Sequence, residues 1–174
     1  MVTPSIWKGA LAGLVAGAVG TWVKSQAEPL LQDLGESLFP PSHDAKERPG
    51  ADVQGHPERM PPATLAQEAT DLFHVTLSDE QKLAAQGGIH WAFGTGAGVA
   101  YGVLAEVTDA EAGFGIPAAG VLFAGTHGSA LPALGLQARP DEMPAAWWVW
   151  ELGSHMVYGA TVELVRRGVR RALG

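Results

Sequence analysis

The sequence predicts an all-α polytopic membrane protein: a bundle of four transmembrane helices with a long external loop between helices 1 and 2. Three observations carry this. Four apolar stretches, about residues 6–24, 84–106, 113–136 and 145–165, each approach the ~20 residues that a helix needs to cross a hydrocarbon core. Charge is almost absent from them: 9–23 and 112–136 contain no Asp, Glu, Lys or Arg, and 84–107 contains Glu106 alone. The acidic residues instead crowd between Glu28 and Glu80, so the mean hydropathy of +0.09 averages a polar loop with apolar helices. Buried helices of a soluble α-protein would explain one such stretch; four, each nearly charge-free, favour lipid.

Composition removes several classes of function. There is no cysteine, which excludes disulfides, thiolate metal sites, iron–sulfur clusters and covalent haem attachment. The net charge of −7 argues against a nucleic-acid partner.

The first stretch, "WKGALAGLVAGAVGTWV", has the Lys and apolar run of a signal peptide, but the run is long and Trp22 and Lys24 follow it directly, so it reads as a retained helix. Gly9, Gly13 and Gly17 recur every four residues, as do Gly94, Gly98 and Gly102. Such stripes let helix backbones approach closely in lipid. Residues 25–83 form the external loop. Its middle, "FPPSHDAKERPGADVQGHPERMPP", is Pro-rich and extended. "ATLAQEATDLFHVTL" places Leu65, Ala69, Leu72 and Phe73 at helical spacing, as in a helix lying on the bilayer surface. Ser78 and Gln81 have the spacing of a capping box that starts the second membrane helix. Trp7, Trp22, Trp91, Trp147, Trp148 and Trp150 sit near segment ends, where indole favours the membrane–water interface. The basic tail, Arg166, Arg167, Arg170 and Arg171, should stay cytoplasmic. Four crossings then put both termini inside, and the turn at 107–112 with them.

Four blocks, "GLVAGAVGTWVKSQAEPL", "IHWAFGTGAGVAYGVLAEV", "THGSALPALGL" and "WELGSHMVYGATVELVRR", together resemble the YagU-like family of small bacterial inner-membrane proteins. The likeness touches all four expected helices and is poor over 30–80. It implies a four-helix protein of the bacterial inner membrane and brings no biochemical activity. Lys24, Glu28, His90, Glu106, His127, Pro132, Glu151, His155 and Glu163 line up with it, none with an assigned role.

The chemistry must come from these polar residues. Ionisable groups at membrane depth are costly and face the bundle interior or a water-filled cavity. Counting residues places His90, His127, Glu151 and His155 in the outer half of the bundle, on three helices. Glu151 and His155 are four apart, one helical turn, so they share a face. Pro132 removes the helical hydrogen bond to the Gly128 carbonyl, beside His127. Three imidazoles and a carboxylate suit zinc or another divalent transition ion. Ligands on one such ion should stand within about 4 Å of each other. Two other readings stay open: interhelical hydrogen bonding that only holds the bundle together, and a path for protons or ions. Two histidines could also ligate a b-type haem, though nothing specifically asks for it.

Lys24 and Glu28 either pair or flank the membrane. Glu106 and Glu163 lie near Arg166 and Arg167 as an inner ion-pair set, or act as relay stations from which bound water would have to bridge to His155. His43, His56 and His74 match no metal motif and read as solvated loop residues. "GTGAG" lies inside an apolar helix and is no dinucleotide fingerprint. "THGSA" lacks an oxyanion hole, so no catalytic residue is assigned. The expected function is a non-enzymatic intramembrane site for a metal ion or protons. The alternative is a structural or assembly subunit packing through its Gly stripes. The expected partners are the bilayer and either further copies of the chain or a larger membrane complex.

Overall fold

The structure, a computed structural model, describes residues 5–108 and 112–174. All regular structure among the described residues is helical, and they contain no strand. The core of the turn expected at 107–112 lies outside them.

Helix α1 (Ile6–Leu38) continues well past the apolar stretch, through Pro29. It is followed by the single turn α2 (His43–Lys46), the 3-10 turn Pro57–Arg59 and α3 (Pro61–Asp71). The segment expected to be extended is therefore an ordered, partly helical one. Helix α4 (Asp79–Thr108) starts at the predicted capping box. The Ser78 N–H donates to Gln81 Oε1 (2.9 Å) and the Gln81 N–H to Ser78 Oγ (3.3 Å). The next helical run is α5 (Ile116–Gly125), a π-helical turn at Thr126–Ala130 and α6 (Leu131–Ala133). The last run is built the same way: α7 (Ala145–Trp147), a π-helical turn at Trp148–Leu152 and α8 (Gly153–Ala172). Of the four expected spans, α1 alone among the described residues is both long and apolar enough to cross a membrane by itself. The other runs are broken by π turns or carry Gly, Gln, His and Arg, which dilute their apolar character.

The chain divides into two compact units. The first comprises Met1–Ala27, Trp91–Leu122 and Ser154–Gly174. Here the two glycine stripes face each other. A Cβ on Gly13 would collide with the carbonyl of Gly98, one on Gly102 with Gly9 and Gly13, and one on Gly17 with Thr95 and Gly94. The pairing of Gly9 with Gly102 and of Gly13 with Gly98 runs the two helices antiparallel. The stripes are thus used inside the chain, joining α1 to α4 backbone to backbone. Ala16, Tyr158 and Val162 form the buried centre beside them, and the Tyr158 hydroxyl donates to the Gly94 carbonyl (2.6 Å).

The second unit comprises Glu28–His90 and Phe123–Gly153. Its core joins Ala51, Met60, Phe123, Met143, Trp147 and Trp150. The 43–60 segment is tied to α1 by polar contacts. Gln32, fully buried, donates to Asp52 Oδ1 (2.6 Å), and Lys46 bridges Glu36 (2.9 Å) and Asp52 (3.1 Å). Burial alone would raise the Asp52 pKa. The hydrogen bonds from Gln32, the Gly55 N–H and Lys46 outweigh it and hold the carboxyl below its ordinary 3.8. Gly50 sits at φ +80°, where an added Cβ would run into the Gln137 side chain.

Candidate metal centre

His127 lies in the first π turn and Glu151 in the second. A π turn inserts one residue into the α register, widening the helix and re-aiming its side chains, and such turns recur at functional sites. Glu151 and His155 are 2% and 5% exposed. The helical run that carries Glu151 continues unbroken through His155, so the helix itself sets their spacing. One ligand atom each from His127, Glu151 and His155 falls within 4.8 Å of the other two, a group that could hold a metal ion. That bound is wider than the roughly 4 Å of a loaded site, but the His127 Nε2–Glu151 Oε1 pair, at 3.4 Å, lies inside it.

Gln137, 4% exposed in the segment after α6, fixes the His127 ring. Its Oε1 stands 2.6 Å from His127 Nδ1, and its amide nitrogen faces the carbonyls of His127 and Ala138, each at 3.4 Å. An amide oxygen only accepts, so Nδ1 carries the proton of that contact, and Nε2 is the ring nitrogen turned toward Glu151. The freed carbonyl near Pro132 also follows from the π register. Leu131 N–H bonds to Thr126, five residues back, so the bond missing at Pro132 is the one to His127 rather than to Gly128 as the α register predicts. Gln137 reaches that carbonyl. Phe123 stacks on the His127 ring (5.7 Å, 15°) and Trp147 tilts beside it (6.2 Å).

Of the four residues expected to converge, His127, Glu151 and His155 make up the group that could hold a metal ion, and His90 is half-buried on α4. Gln137 was missed by sequence reasoning. Its single clue is an amide in an otherwise unremarked loop, "LGLQAR".

The inner acidic residues form ion pairs in the first unit. Glu163, with no exposed surface, accepts from Arg166 (2.7 and 3.0 Å), Arg167 and the Tyr101 hydroxyl (2.9 Å). Glu106 pairs with Arg170 and accepts from the Ser5 N–H (2.9 Å). Lys24 is buried and Glu28 half-buried on α1. His43 and His74 are exposed, and His56 pairs with Glu47 (2.8 Å), in keeping with loop histidines.

A family model described as "Protein of unknown function (DUF1440)" matches residues 34–164. No curated protein and no solved structure matches the chain.

Proposed function

The chain belongs to the DUF1440 family, whose function is unknown, and we propose that it is an integral membrane protein whose His127, Glu151 and His155 bind a divalent transition ion, zinc-like in its ligand preference. Support for the membrane comes from an inverted distribution of polarity. Leu30, Val121, Leu134 and Leu164 are 61–73% exposed, while Glu151, Glu163 and Arg166 are at most 2% exposed. Water would favour the reverse; lipid favours this. The four helical runs α1, α4, α5–α6 and α7–α8 would be the crossings of a bundle in the bacterial inner membrane. Both termini would be cytoplasmic, in line with the YagU-like resemblance. The exposed Leu72 and Phe73 at the end of α3 would rest on the outer interface.

One observation carries the metal reading. His127 Nε2 and a carboxylate oxygen of Glu151 stand 3.4 Å apart, in a group that His155 completes. A shared proton would draw them to about 2.7–2.9 Å. Two ligands on a tetrahedral ion with bonds of about 2.1 Å stand roughly 3.4 Å apart. The spacing favours an ion. A b-type haem is disfavoured, because the Glu151 carboxylate occupies the space beside His127 that a porphyrin plane would need. The role is binding rather than catalysis.

Elemental analysis of the detergent-purified protein, after incubation with zinc and dialysis, tests this. The expected result is about one zinc per chain, lost in Glu151→Ala and His155→Ala. A wild-type protein that retains no zinc would overturn the reading and leave a shared proton in its place.

A further inference from the structure

We infer that the 43–60 segment senses whether the centre is occupied: an ion held by His127 fastens the segment to the rest of its unit, and loss of the ion loosens it. The inference rests on the metal reading above and adds a conformational output to that site.

The segment is docked at two places. At one, polar groups clamp it to α1. Asp52, 2% exposed, accepts from the Gln32 amide (2.6 Å) and pairs with Lys46 (3.1 Å), which also bridges Glu36 (2.9 Å). The Gln54 N–H donates to Gln32 Oε1 (3.2 Å). At the other, it meets the loop that carries Gln137. The Ala138 N–H donates to the Pro49 carbonyl (3.0 Å), and a Cβ on Gly50 would stand 2.8 Å from Gln137 Cγ. Gln137 Oε1 in turn faces His127 Nδ1 at 2.6 Å. Consecutive contacts thus join a surface segment to a proposed ligand. The aromatic core adds a second link: Ala51 and Met60 belong to the same buried cluster as Phe123 and Trp147, the rings that pack on His127.

Energetics say why this segment, rather than a helix, responds. Among the described residues its buried apolar side chains are Ala51 and Met60. The rest of its hold is hydrogen bonds and partly exposed ion pairs, each modest in net terms. Segments held by few apolar contacts come loose at far lower cost than the whole molecule. An ion that needs the His127 ring in place adds its binding energy to the docked form. Docking and ion binding then strengthen each other by one common factor.

Hydrogen–deuterium exchange of the whole chain in detergent, read by mass spectrometry, tests this with zinc alone as the probe. The Gly50, Ala51, Gln54 and Ala138 amides are hydrogen-bonded within or across the docked segment. At saturating zinc, peptides containing them should exchange about tenfold more slowly than in zinc-free protein. Gln137→Leu, compared at zinc concentrations that saturate it, should lose this slowing. Lys46→Ala leaves every proposed ligand and Gln137 in place. It should bind zinc more weakly by up to the same factor, a reciprocity that a merely structural segment does not require. Zinc bound at about one per chain with unchanged exchange over 43–60 would overturn the inference. Slowing that survives Gln137→Leu would overturn its route through that side chain. A chain that takes up no zinc would instead sink the metal reading, and the sensing with it.

Discussion

Gln137 decides which nitrogen of His127 an ion would meet. By accepting from Nδ1 and reaching the His127 carbonyl, it sets both the tautomer and the tilt of the ring. Gln137→Leu keeps most of the buried volume and removes both contacts. Zinc affinity, measured by competition with a chromophoric chelator, should fall about 10–100-fold. An unchanged affinity would mean that stacking by Phe123 and Trp147 orients the ring alone. At this scale the sequence was legible where a polar residue interrupts an apolar helix, which is how His127, Glu151 and His155 stood out. Counting residues along a helix gives a height and no rotation, so it could not say which of the four would meet. Gln137 carried no signal, since a loop amide finds its partner only once the chain is folded.

The elements show the same division. A capping box is a local contact between residues three apart, so Ser78 and Gln81 announced the start of α4 correctly. Glycine stripes are equally readable, because a missing side chain has one main use in lipid. Replacing Gly98 by Leu would drive a side chain into Gly17 and Gly13 backbone. The variant should lose about 1–3 kcal/mol or more, read as a lower melting temperature in detergent. Gly96→Leu, where nothing lies within 4 Å of the new Cβ, should melt like the wild type. Equal melting of the two variants would show that the stripes are not a packing surface. The two π turns had no such signature. An inserted residue changes register without changing composition, and a strict α register therefore sends the carbonyl freed by Pro132 to the wrong residue. The continuation of α1 to Leu38 was also hidden, because Pro29 and the polar residues around it mimic the start of a loop.

For the whole molecule, the all-helical class was legible from the absence of alternation and the length of the apolar runs. The ordered 43–60 segment was not, because its stability comes from Gln32, Glu36 and the Trp147–Trp150 core, all remote in sequence. Orientation can be tested cleanly, since the chain has no native cysteine. A cysteine at exposed Asp44 should react with a membrane-impermeant maleimide on intact spheroplasts. One at Gly168, whose Cβ would face open space, should react only after permeabilisation, because basic residues around it resist translocation. The opposite pattern would invert the topology. The close approach of Gly50 to Gln137 carries a consequence in time. There is no room for a side chain between Gly50 and Gln137, whose Oε1 faces the His127 ring, so a ring holding an ion would turn away only as the 43–60 segment lifts. Ion residence would then follow how often that segment opens, a local event far rarer than side-chain motion. Two variants with equal affinity can therefore differ widely in exchange rate, and the centre would act as a slow store rather than a rapidly equilibrating buffer.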